Sequence, residues 1–241
     1  PEGERHASKR DYEAFAKAAP GLNIMLAPYF GAAGDNLDAA AAVPVAGLHV
    51  DLVRAPDQLD AILKVVRADQ VLSLGVIDGR NIWRADLAAI LERLAPVVAA
   101  RGADKFEVAA SCSLLHVPID LALETGLDAD LKSWLSFATQ KLGELATLGQ
   151  GLAQGRDGVW EAINEAAQAV AARASSPKVT DPLVQGRIAG IDAAMTRRKS
   201  PFEHRRALQA KALDLPLFPT TTIGSFPQTS EVRKARSAHA K

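Results

Sequence analysis

Four short stretches of this chain hold side chains whose types and spacing could do chemistry. His49 and Asp51 lie two apart in "GLHVDLV". On a strand such residues share a face, so an imidazole and a carboxylate could meet one substrate there, or pair with each other in the interior. The segment "GVIDGRNIWRADL" (75–87) packs Asp78, Arg80, Asn81 and Arg84 into one connection. Two arginines could grip a carboxylate or phosphate through paired N–H donors. The plainer alternative has Asp78-Gly79 making the turn, Asn81 capping a helix, and the arginines pairing with local acids. In "SCSLLHVPID" (111–120), Cys112 and His116 could act as nucleophile and base or as part of a metal site. Two ligands fall short of a zinc site, and a catalytic pair needs an orienting third group, so the expectation is a buried, inert cysteine. In "PTTTIGSFP" (219–227), Gly224 lets the backbone approach a ligand, and Ser225 adds a hydroxyl and an N–H. That is either a nest for a small carboxylate or a plain turn.

These residues need elements to position them. Four apolar runs read as strands buried on both faces: 22–30, 47–53, 70–77 and 105–114. Helical spacing follows the first three, in "DNLDAAAAV", "APDQLDAILKVVR" and "RADLAAILERLAPVVAARG". In the last, Leu87, Ile90, Leu91, Leu94 and Val98 predict the apolar stripe. Strand and helix alternate every 25 to 30 residues or so, the mark of βαβ units and a parallel sheet. A closed (β/α)8 barrel has eight strands, twice the number legible here. The glycines of "YFGAAGDN" (29–36) match neither a dinucleotide fingerprint nor a P-loop.

Beyond Cys112 the pattern turns helical. The stretch 128–152 reads as one long helix with Leu131, Trp134, Leu135, Ala138, Leu142 and Leu145 on one face. Another helix is expected over 157–175. "SSPKVTDPLV" is a linker in which Asp181 and Pro182 open a helix running through "LVQGRIAGIDAAMTRRK", and Ser200-Pro201 open the next. From Pro216 the chain reads as extended until a helix start in "TSEVRKAR".

Composition excludes several classes. Lys plus Arg equals Asp plus Glu at 28 each, so no basic field favours nucleic acid or an anionic membrane. The apolar runs are too short and broken to span a bilayer. One cysteine rules out an internal disulfide and a cysteine-rich metal cluster. With no apolar leader in "PEGERHASKR", the expected compartment is cytoplasmic. The missing initiator Met fits a chain cut from something longer.

The motifs "GLHVDLV", "IDGRNIWRADL", "SCSLLHVPIDL" and "TTTIGSFPQT", in that order, resemble cobalamin-independent methionine synthase. The resemblance extends over essentially the whole chain. It implies an enzyme of two facing (β/α)8 barrels joined by a helical linker, which moves a methyl group from a 5-methyltetrahydrofolate polyglutamate to homocysteine bound through zinc. It assigns 1–150 to the later half of the N-terminal barrel, 151–215 to the linker, and 216–241 to the start of the catalytic barrel. The implied fold is α/β: a half (β/α)8 barrel, then helices, then the first strand of a second barrel. Ile223, Gly224 and Ser225 match the homocysteine-binding segment. The family's zinc ligands (His, two Cys and Glu) would lie beyond Lys241, and its basic folate contacts also fall outside this stretch. No catalytic residue and no metal ligand is therefore carried over to this chain, Cys112 included, and alone it is expected to be silent. Open barrel edges would favour self-association or contact with a complementary piece. A partner-docking module and a decarboxylase-type barrel are the competing readings; the closing "IGSFPQT" argues against the second.

Overall fold

Valine, leucine and isoleucine crowd the segments around 48 and 73 because a central parallel strand is covered on both sides. The structure, a computed structural model, describes residues 2–220 and 228–239. It divides into two compact units between Asp181 and Pro182. In the first, helix α1 (Glu2–Ala18) precedes strand β1 (Met25–Leu26), α2 (Leu37–Ala42), β2 (Gly47–Asp51), α3 (Leu59–Val65), β3 (Val71–Ile77), α4 (Leu87–Arg101) and β4 (Phe106–Ala110). The strands form one parallel sheet in the order β1-β2-β3-β4. All four expected strands and the helices between them are present. β1 keeps only two residues of its expected nine-residue run, since Pro28 and Gly31 close it early.

The two faces of the sheet differ. Leu48, Val50, Leu72 and Leu74 pack against Leu59, Ile62, Leu87, Leu91 and Leu94 of α3 and α4 in one apolar cluster. The intervening residues point the other way. There the register sets His49 beside Ser73 and Ser73 beside Glu107, and in the next row Asp51 beside Gly75. A register shift between Gly75 and Ile77 adds one residue to β3 just before its loop. In α4 the buried stripe is Leu87, Leu91, Leu94 and Val97, with Val97 in place of the expected Val98. Asp86 caps this helix by accepting from the Ala89 N–H at 3.1 Å, the role the sequence offered to Asn81.

Arginines hold the amino ends of the strands. Arg67 donates from Nη1 to Ala41 O and Val43 O at 3.0 Å and from Nη2 to Val45 O at 3.2 Å. Arg101 donates to Arg67 O at 2.8 Å and also to Gln70 O and Lys105 O. Each guanidinium spreads fixed donors over several carbonyls that end strands or loops.

The expected long helix over 128–152 is two helices. α5 (Ala129–Ser133) ends, the chain extends through Leu135, and α6 (Ala138–Gln154) begins. Residues 134–136 bond instead to the connection after β3. Trp134 O accepts from Arg84 N at 2.9 Å, and Ser136 N donates to Ile82 O at 2.8 Å. This tertiary pairing outweighs local helix propensity. The expected stripe holds in part: Trp134 and Leu135 are buried and Leu131 and Leu145 pack on apolar clusters, but Leu142 is 59% exposed, and α6 buries Lys141, Glu144, Leu148 and Gly151 instead. Helix α7 (Trp160–Ser175) completes the unit, adding Ile163 and Ala166 to the apolar cluster.

In the second unit, α8 (Pro182–Ala189) starts at Pro182 as expected but stops ten residues short of the expected end. Asp192 Oδ1 accepts from Ala194 N and Met195 N and forms a turn there. α9 (Phe202–Leu213) has Pro201 at its cap, and α10 (Ser230–His239) follows the cap at Thr229. Among the described residues, no helix is long and apolar enough to cross a membrane.

Leu94→Ala, emptying a fully buried site, is expected to cost about 2–5 kcal/mol. Leu142→Ala is expected to change stability by no more than about 0.5 kcal/mol. Urea unfolding of the two variants checks the contrast, and equal losses would place Leu142 in a covered face after all.

Candidate functional site

The loops leaving the carboxyl ends of the four strands hold nearly all the polar residues singled out above, the position at which parallel α/β sheets bind ligands. Each loop is fixed by a neighbour. Asp51, 1% exposed, accepts from Phe30 N at 3.0 Å through Oδ2, and from Val53 N and Arg54 N at 2.9 Å through Oδ1. It ties the loop after β1 to the loop after β2. With those three N–H donors, Asp51 serves as a turn anchor rather than a free base. Phe30, held by that bond, has φ of 73°, a left-handed conformation that a bulky side chain rarely adopts.

His49 does not pair with Asp51. Its Nε2 meets the Ser111 carbonyl at 3.5 Å and its Nδ1 meets Ser73 Oγ at 3.0 Å. A carbonyl only accepts, so Nε2 carries the proton and Nδ1 accepts from the serine hydroxyl. Burial lowers the His49 pKa, partly offset by the Ser111 carbonyl and by the Asp51 and Glu107 carboxylates. Gly75 is required beside it, because a Cβ there would sit 2.7 Å from Ser111 Cα.

The connection 78–86 is a chain of small bonds. Asp78 accepts from Arg80 N at 2.8 Å and from Asn81 Nδ2 at 2.9 Å, and Asn81 Oδ1 accepts from Trp83 N at 3.1 Å. The two arginines diverge. Arg80 lies 5.0 Å over the Phe30 ring, and Arg84 pairs with Glu165 at 3.0 Å. They do not form a shared anion grip; Arg84 does pair with an acid, but with Glu165, 81 residues away, rather than with the local acid that the plainer alternative offered. Gly79 packs so closely on Cys112 that a Cβ would lie 2.9 Å from Sγ. Cys112 is buried, and burial raises its thiol pKa. His116 turns away to pack on Phe30, with ring centroids 5.6 Å apart. The structure therefore does not join Cys112 and His116 into a nucleophile and base. Among the described residues no group of three His, Cys, Asp or Glu could hold a metal ion. Ile223, Gly224 and Ser225 lie outside the described residues.

Two residues that the sequence reading passed over matter most here. Lys141, 1% exposed, donates from Nζ to Trp83 O at 3.2 Å and to Asn81 Oδ1 at 3.3 Å. One turn on, Glu144 Oε1 accepts from Ala85 N at 3.1 Å. Burial lowers the Lys141 pKa and raises that of Glu144, and each is pulled back by the other's charge. Ser136 lies beside the Glu144 carboxyl and favours its ionised form. Even so, Ser136 Oγ and Glu144 Oε2 are the two buried side-chain atoms, among the described residues, without a hydrogen-bond partner. The signal was available: 141, 144, 148 and 151 fall on one 3.6-residue face, but half of that face is charged.

Comparison with known proteins supplies a context for these loops. The family model described as "Cobalamin-independent synthase, N-terminal domain" matches residues 1–102, and "Cobalamin-independent synthase, Catalytic domain" matches 218–241. The 5-methyltetrahydropteroyltriglutamate–homocysteine methyltransferase of Nitrobacter winogradskyi is 62% identical over 98% of this chain and 31% of its own length. That of Mesorhizobium japonicum is 61% identical over 99% of this chain and 31% of its own. A Rhodopseudomonas palustris counterpart is 57% identical over 99% and 30%. The chain thus spans 31% of the length of the first of these relatives.

Lys141→Met leaves Trp83 O without this donor and Asn81 Oδ1 with only the Trp83 N–H, and is expected to cost about 1–3 kcal/mol. Faster amide exchange across 78–86 should accompany it; unchanged stability and exchange would remove Lys141 from this role. For His49, the unfolded chain takes up a proton near the usual pKa of 6.5 more readily than the folded one does. The stability tied to this group is present above that value and lost as pH falls through the lowered folded pKa. His49→Gln should flatten the fall in thermal stability between about pH 7 and pH 5.

Proposed function

Because the chain belongs to the cobalamin-independent synthase family, we propose that it works as part of an enzyme that transfers the methyl group of a 5-methyltetrahydropteroyl polyglutamate to homocysteine. The observation that carries this reading is the order of the two domain matches, N-terminal at 1–102 and catalytic at 218–241, within a sequence up to 62% identical to named methyltransferases. The four parallel strands in consecutive order suit half of a (β/α)8 barrel, with β4 an edge strand among the described residues, where a further strand would pair. Residues 151–215 then act as the helical linker between barrels, and residues 216–241 begin the second.

In this reading Ile223, Gly224 and Ser225 hold homocysteine. Gly224, lacking a side chain, is suited to close backbone approach, and Ser225 brings a hydroxyl and an N–H as donors for the amino acid's carboxylate. The zinc proposed for the intact enzyme finds no fit here: Cys112 is walled by Gly79, and no three metal-binding side chains converge among the described residues. The loops of the first unit serve as a rigid wall rather than as acids or bases, since Asp51 and Asp78 both accept backbone N–H groups.

The 241-residue chain alone is expected to give no methyl transfer from labelled methyltetrahydropteroyl triglutamate. A full-length protein containing it should turn over, and Ser225→Ala in that protein should raise the KM for homocysteine about tenfold, one lost hydrogen bond to a charged group. Turnover by the isolated chain, or an unaffected KM, would contradict the proposal.

A further inference from the structure

Where the loops after β1, β3 and β4 meet, three side chains close on one ring. Phe30 carries the Arg80 guanidinium over its face, 5.0 Å from the ring centre. Tyr29 and His116 meet the same ring in T-shaped contacts, with centroids 4.6 and 5.6 Å away. The group faces outward: Phe30 is 46% exposed, and Arg80 and His116 are exposed with it. Phe30 is held there at a left-handed φ of 73°, a strain that clusters at sites a ligand uses.

A guanidinium stacked on a ring occupies its flat face and keeps its in-plane N–H donors. Among the described residues, the Arg80 side chain has no acid and no carbonyl to donate to, and the His116 imidazole has no hydrogen bond. The acids of these loops are already engaged. Asp78 accepts from Arg80 N and Asn81 Nδ2, and Asp51 accepts from Phe30 N, Val53 N and Arg54 N. That last bond starts a further exposed cation, Arg54, from the carboxylate that fixes Phe30. Several donors without acids, spread over adjoining loops, suit a ligand with carboxylates in series. A γ-linked oligoglutamate is such a ligand, with one free carboxylate on each residue and another at its end.

We propose that Arg80, with His116 and Arg54 beside it, binds carboxylates of the oligoglutamate tail of the pteroyl substrate. The inference rests on the methyl-transfer reading and names the part of that substrate which these loops meet. Phe30 is a positioning residue: its ring holds the guanidinium with its donor edge toward solvent.

Kinetics of a full-length protein containing this chain test the role with methyltetrahydropteroyl triglutamate. Arg80→Met keeps an unbranched stem on Phe30 and removes the donors. It should raise the KM for the triglutamate about tenfold, with kcat and the KM for homocysteine changed less than about twofold. Arg80→Lys, which restores the charge without the paired donors, should recover part of the loss. A readout apart from turnover is titration of tri-γ-glutamate into the 241-residue chain. It should bind saturably, and more weakly in high salt or with Arg80→Met. An unchanged triglutamate KM, an equal rise in the homocysteine KM, or no saturable peptide binding overturns the proposal. A full-length protein without methyl transfer overturns the methyl-transfer reading instead, and the peptide titration then decides whether these loops bind oligoglutamate.

Discussion

A charged ammonium that water cannot reach must be surrounded by acceptors, and that requirement at Lys141 organises the first unit. Its partners are a side-chain oxygen and a carbonyl of the connection after β3, so α6 can sit in only one register against that connection. Glu144 repeats the constraint one turn later on Ala85 N. The backbone of 134–136 then pairs with 82–84 from the other direction. A loop of nine residues is thereby fixed at both edges, and the cap of α4 at Asp86 follows directly from where that loop ends. Replacing such buried charges with well-packed apolar groups is often neutral for stability. What the pair supplies instead is geometry, because only one arrangement satisfies it.

The two ends of the sheet are held by opposite chemistry. At the amino ends, guanidinium groups gather carbonyls. At the carboxyl ends, Asp51 and Asp78 gather N–H groups. The difference follows from what each loop leaves unpaired, and it gives the carboxyl end a set of short, stiff turns. One result is that the polar residues there are largely occupied with one another, which suits a surface that shapes a site more than one that reacts.

Much of this was legible in the sequence. The runs at 47–53, 70–77 and 105–114 announced their strands through continuous apolar character, and the spacing of Leu87, Leu91 and Leu94 announced the buried stripe of α4. The failures share a cause. The face of α6 carries Lys141 and Glu144, so a hydrophobic count turns the helix toward Leu142 and away from its true inner side. The break near Leu135 is set by a strand-like pairing with Trp83, a partner 52 residues away that no local pattern contains. The His49–Asp51 pair was placed correctly on one face, but the register brought Ser73 and Ser111 to the imidazole instead. Even the end of α8 was decided by one aspartate side chain folding back on its own backbone.

The packing of Gly79 on Cys112 gives the molecule a built-in clock. This is the chain's single sulfhydryl, and it is buried with the backbone of Gly79, in the 78–86 segment, packed against it. The rate at which an alkylating reagent consumes it therefore reports how often its surroundings open, a side-chain readout independent of amide exchange. Any molecule that seats against these loops would slow that clock without touching the sulfur.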